Sequence, residues 1–170
     1  MKIRVLIGSL FLAATLFVAA CVVPAWVNAV EADVEIAVPI AASLITVIDP
    51  ALAPLVNAVV AGLNALEKVL DTYKSSQTAT NLQAVQAAMN AVNANIAQLE
   101  SAAQIHNPGT DAKITAIVGL LTQLSAAIIS EVPAPTGTTA PLKTSVHNAA
   151  WFKAQYNLIV AGDSRFTPLP

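Results

Sequence analysis

Between Leu82 and Ala103, apolar residues return at alternating steps of three and four: Leu82, Val85, Met89, Val92, Ile96, Leu99 and Ala103. That spacing keeps one side of an α-helix apolar for about three heptads, whereas strand side chains change face at every residue. A stripe this long has to be covered by another helix, so the chain is constrained to helix-on-helix packing. The opposite side carries Gln83, Gln86, Asn90 and Asn93, amides and not charges. A third stripe, Ala84, Ala87, Ala91 and Ala94, is small enough for another helix to come close. The charged e and g positions that select coiled-coil partners are missing, which favours a bundle core over an intermolecular coiled coil.

The rest of the chain reads the same way. Alanine, the best helix former, is about a fifth of the sequence. Asp49-Pro50 is a helix start, with Asp to cap the free amides and Pro suited to the first turn. Leu52, Leu55, Val59, Leu63, Leu66, Leu70 and Tyr73 follow at steps of three and four, opposite Asn57, Asn64, Lys68 and Asp71. This helix should end near Lys74, before Ser75-Ser76-Gln77-Thr78. Thr80 and Gln83 have capping-box spacing for the next one. After the break at Asn107-Pro108-Gly109-Thr110, Ile114, Ile117, Val118, Leu121, Leu124 and Ile128 share a face. Leu120 and Ile129 stray from it, so this helix is apolar on more than one side, central in the bundle or touching lipid.

Residues 30–38 alternate apolar residues with Glu31, Asp33 and Glu35, but one isolated strand builds no sheet; the segment reads as a helix that Pro39 ends or kinks. Residues 132–143 are a Pro/Thr-rich linker. Thr144 or Ser145 can cap a last helix running to about Ala161, with Gly162 as its stop. Short connections near 75–80 and 106–110 favour antiparallel neighbours. The expected fold is all-α: an antiparallel up-down helical bundle of about four to five helices. Helices 50–74, 80–105 and 111–131 form its body, and segment 25–48 and the last helix cover the open sides. The bundle occupies 21–131, and the C-terminal helix and tail 144–170.

The chain opens Met1-Lys2-Ile3-Arg4, continues apolar from Val5 to Ala20, and reaches its single cysteine in Val18-Ala19-Ala20-Cys21. A basic start, an apolar run and small residues before a Cys resemble the signal peptide and lipobox of bacterial lipoproteins. The resemblance covers Met1 to Cys21. It implies that residues 1–20 are removed, that Cys21 is diacylated on sulfur with palmitate-type chains, and that its new amino end is acylated. Membrane lipid is then the first partner. Each buried CH₂ contributes about 0.8 kcal/mol and durable anchoring takes more than one chain, which a three-chain anchor satisfies. Val22 in place of Asp after the Cys is similar to enterobacterial sorting to the outer membrane, facing the periplasm or the surface. Trp26, five residues on, is the expected membrane-interface residue, because indoles favour headgroups.

Charged residues are 11% of the chain, less than half the usual figure of about 25%, and the mean hydropathy is +0.66. That excludes ordinary disorder. Without Lys2 and Arg4, six basic residues face ten acids. Such a chain offers no basic face for nucleic acid and no electrostatic draw to anionic lipid. A single Cys excludes a disulfide framework and a cysteine zinc cluster. His106 and His147 have no ligands at zinc spacing and read as a helix-end and a surface histidine. In a helix Glu31 and Glu35 share a face while Asp33 points elsewhere, a solvated face more than a calcium site. No phosphate loop or nucleophile elbow is present, so no catalysis, metal or cofactor is expected.

Trp151, Phe152 and Tyr156 concentrate aromatics in the last helix; docking onto the bundle is the favoured role, a partner-binding anchor the alternative. The functional expectation is a lipid-anchored structural or interaction protein of the bacterial cell envelope, with a protein partner or a homo-oligomer left open. The alternative is a membrane-active, holin-like or pore-forming protein. A spanning helix needs about 20 apolar residues. Segment 36–48 is too short, and 114–130, which carries no charge, includes Thr115, Thr122, Gln123 and Ser125.

Overall fold

A computed structural model describes residues 23–106, 112–133 and 148–170, apart from the side chains of 104–106. Among these residues there are five helices and no strand: α1 (Ala25–Ser43), α2 (Ala53–Ser75), α3 (Ala79–His106), α4 (Ala112–Glu131) and α5 (Ala149–Val160). The first four close a ring in which α1 packs on α2, α2 on α3, α3 on α4 and α4 on α1; the diagonal pairs stay apart across the core. The fifth helix covers α4 and α1 from outside. The protein is therefore an all-α helical bundle.

Side-chain ties join the start of one helix to the end of its neighbour, which makes the packing up-down. Lys74 Nζ at the end of α2 donates to Glu31 Oε1 near the start of α1, at 2.6 Å. Gln86 Nε2 in the first turns of α3 donates to the Pro133 carbonyl just past α4, at 2.6 Å. Lys113 Nζ at the start of α4 donates to the Ala161 carbonyl just past α5, at 3.1 Å.

The core is made of seams at three-and-four spacing: Val56, Val59, Leu63, Leu66, Leu70 and Tyr73 on α2, Val85, Met89, Val92, Ile96 and Leu99 on α3, and Ile114, Ile117, Leu121, Leu124 and Ile128 on α4, all buried. Fully burying one such aliphatic side chain stabilises by about 1.5–3 kcal/mol. Because α4 touches three helices, it is buried on more than one side. Leu120, off the main stripe, is buried as well, while Ile129 stays exposed.

Local chemistry moves several boundaries from the sequence reading. Pro39 neither ends nor interrupts α1, which continues to Ser43. The lost bond belongs to the carbonyl four residues back, that of exposed Glu35, where water can take its place. Asp49 caps a tight turn instead of α2, its Oδ1 accepting from Ala51 N at 2.8 Å; the first-turn proline of α2 is Pro54. Thr78, not Thr80, caps α3, its hydroxyl accepting from Asn81 N at 3.2 Å. Asn148 caps α5, accepting from Trp151 N at 3.0 Å; Thr144 and Ser145 lie outside the described residues. Gly162 follows α5 at φ 73°, the left-handed stop that a glycine adopts without strain.

Gly62 sets the distance between α2 and α3. A Cβ there would stand 3.2 Å from Val92 Cγ2 and 3.4 Å from Asn95 Nδ2. The close approach also lets Asn95 Nδ2 donate across to the Ala58 carbonyl at 3.1 Å. Gly62→Leu is expected to cost about 1–3 kcal/mol by overpacking. Thermal unfolding should show it as a loss of about 2–4 °C per kcal/mol. An unchanged melting temperature would mean that the α2–α3 contact gives way freely.

Candidate functional site

Glu31, Asp33 and Glu35 lie within two turns in the middle of α1. Residues four apart share a face, whereas two apart lie about 200° around the helix. Glu31 turns toward α2 and meets Lys74, which also reaches Asp71 Oδ1 at 3.2 Å. The hydrogen bonds to Glu31 and then to Asp71 raise the Lys74 pKa. Glu35 is exposed. Asp33 goes inward and is 2% exposed, which corrects the expectation of a solvated acidic face at that residue.

The cause is register. Trp26, Val30, Asp33, Ala37, Ile40 and Leu44 run at alternating steps of four and three, all buried, and Asp33 occupies a seam position among them. On α4 the alternation through Ile114, Ile117, Leu121, Leu124 and Ile128 continues one more step to Glu131. Asp33, midway along α1, and Glu131, the half-buried last residue of α4, therefore stand at seam positions of adjacent helices. Asp33 Oδ2 and Glu131 Oε2 are buried and accept no hydrogen bond. Burial first, and then the charge of Glu131, push the Asp33 carboxyl up to about 7; burial also raises Glu131. Protonated, such a group becomes a hydrogen-bond donor at a pH where ordinary carboxyls are acceptors only. With so little exposure at Asp33, the pair suits holding a proton better than turning over a substrate.

The residues singled out from the sequence are scattered. Cys21 lies outside the described residues, as do His147 and the side chain of His106. Trp26 is 6% exposed and packs on Tyr73, ring centroids 5.2 Å apart. It belongs to the hydrophobic core. Phe152 and Tyr156 are fully buried, so the anchor role offered for them is spent inside this chain. Trp151 is half-buried and meets Phe152 edge-on at 5.0 Å. Among the described residues no three His, Cys, Asp or Glu gather as metal ligands.

An open cavity of about 350 Å³ lies at the other end of α1, between Pro39, Ala42, Ser43 and Thr46 and the tail that follows α5. The tail is held by Asn157, whose Nδ2 donates to the Leu169 carbonyl at 3.0 Å and whose Oδ1 accepts from Leu169 N at 2.7 Å. Arg165 borders the cavity, and its guanidinium donates to both carboxylate oxygens of Asp163, at 3.0 and 2.7 Å. No protein family, curated protein or solved structure matches the chain.

Two helices, α2 and α4, are long and apolar enough to cross a membrane by length and composition. In the bundle the seam residues of both helices are buried, while Ile129 of α4 stays exposed. The outer side of α2 is polar, with Asn57, Asn64, Glu67, Lys68 and Asp71 exposed.

Proposed function

We propose that the protein is a lipid-anchored helical structural or interaction protein of the bacterial cell envelope, held to membrane lipid through acylated Cys21. The observation that carries this reading is Val18-Ala19-Ala20-Cys21 at the end of an apolar run with a basic start. The bundle supports it in one respect: its seams cover each other, so the core needs no lipid, and attachment falls to the anchor. Only three residues, Val22, Val23 and Pro24, separate Cys21 from the start of α1, a reach of at most about 14 Å. On this reading the end that carries Glu31, Lys74 and Asp33 lies nearest the membrane, and α3 and α4 are open to a protein partner or a second copy on their outer sides. No catalytic step is assigned.

Cys21→Ser tests it. The expected result is loss of the protein from the membrane fraction with an unchanged helical circular dichroism spectrum, while mass spectrometry of the native protein finds an acylated amino-terminal Cys. A native protein with an intact Met1 end, or with Cys21 unmodified, would sink the proposal.

The membrane-active reading rests on the length and apolarity of α2 and α4. A chain starting at Val22 separates the two: the anchored bundle stays dispersed and helical in detergent-free buffer, and a pore-former aggregates until detergent is added.

A further inference from the structure

We propose that Asp33 and Glu131 form a proton-operated latch between α1 and α4, closed while the pair holds a proton and loosened when both carboxyls ionise. The inference stands on the bundle alone and does not depend on how the chain is anchored. Both residues occupy seam positions of adjacent helices, and each keeps a buried oxygen without a hydrogen-bond partner. A proton on one carboxyl supplies the donor that two ionised carboxylates lack. Two ionised groups would be like charges in a desolvated interface, the arrangement in which one acid of a pair stays protonated.

Among the described residues, none bonds to either orphaned oxygen to offset a second charge. On α1, Glu31 is engaged by Lys74 and Glu35 is exposed. On α2, Lys74 is committed to Glu31 and Asp71, Tyr73 packs on Trp26, and Glu67 and Lys68 point to solvent. On α4, the basic residue is Lys113, eighteen positions and about 27 Å of helix away from Glu131. On α5, Lys153 is half-buried and donates to neither orphaned oxygen. Pro39 lies six residues beyond Asp33 and removes one helical hydrogen bond from α1. Residues 25–38, which carry Asp33, can therefore tilt away from α4 at less cost than a helix with every hydrogen bond made.

The sign follows from the raised acid. In the folded protein Asp33 keeps its proton up to about pH 7, whereas an unfolded Asp loses it near pH 4. Between those values the folded state binds more protons, so stability falls as pH rises through the window and levels off above it. The experiment is amide hydrogen exchange on the full chain at pH 5 and pH 8, corrected for the intrinsic rate. Exchange in residues 25–38 should speed up by about tenfold or more at pH 8, with residues 56–70 of α2 unchanged. Asp33→Asn should hold 25–38 at one rate at both pH values. Glu131→Gln, which also serves if Asp33→Asn fails to fold, removes the charge that pushes Asp33 up and should move the loosening of 25–38 to lower pH than in the parent, or abolish it. Equal protection of the parent at both pH values would overturn the latch, as would pH dependence that survives both substitutions unshifted. So would protection at pH 8 that appears with calcium or magnesium and vanishes with EDTA, which would make the pair a cation site.

Discussion

Val92→Asp is expected to unfold the bundle. Val92 is 2% exposed in the middle of the α3 seam, and its Cγ2 would stand 3.2 Å from a Cβ added at Gly62 of α2. A carboxylate buried there has no partner, and the penalty is several kcal/mol even after relaxation. A domain of this kind has about 5–15 kcal/mol in total. Thermal unfolding followed by circular dichroism should show either no cooperative transition or one far below that of the parent. The chain does carry a buried carboxyl on a seam, Asp33, but burial and the charge of Glu131 push that one up to about 7, so that it can be buried protonated. Position 92 has no such neighbour on its seam, so the two sites are not equivalent. A Val92→Asp protein that melts like the parent would show that the α3 seam is not the core.

Phe152→Ala should be the other large loss. The ring is fully buried where α5 covers α4 and α1, and Tyr156, one turn further on, is fully buried beside the tail. Truncating a core phenylalanine costs about 3–5 kcal/mol, through lost transfer energy and the cavity left behind. Urea unfolding should report that loss, and limited proteolysis should cut first within residues 148–170, because the buried aromatics of α5 dock it on α4 and α1 from outside the four-helix ring. Leu158→Ala on the same helix is the control: Leu158 is 70% exposed, and its removal should change stability by no more than about 0.5 kcal/mol. If Phe152→Ala unfolds like the parent, α5 is not docked on the bundle and its aromatics are free to serve a partner instead.

The helices of the body were legible because their apolar spacing is local. The α3 stripe, the α2 stripe and the α4 face each repeat within one element, and the periodicity alone says which side must be covered. The same arithmetic reaches Asp33 and Glu131, since each stands one regular step from a buried residue. In the sequence, however, Asp33 is seen first as one of three acids within five residues, and that grouping suggests a wet face. A seam position overrides residue type once three helices surround it. The cap positions moved for a simpler reason: Thr78 and Thr80, or Asp49 and the residues after it, offer nearly the same local chemistry, and packing chooses between them.

The sequence by itself determined that this chain is helical, which faces are apolar, and that short connections make neighbours antiparallel. Only the tertiary structure decided that Trp26 is a core residue, that α1 runs through Pro39, and that Asp33 and Glu131 each bury an oxygen without a hydrogen-bond partner among the described residues. Periodicity specifies how residues are arranged around one helix axis. It carries no information about which face of another helix will stand opposite, and burial, with the pKa shifts it causes, is a property of that pairing.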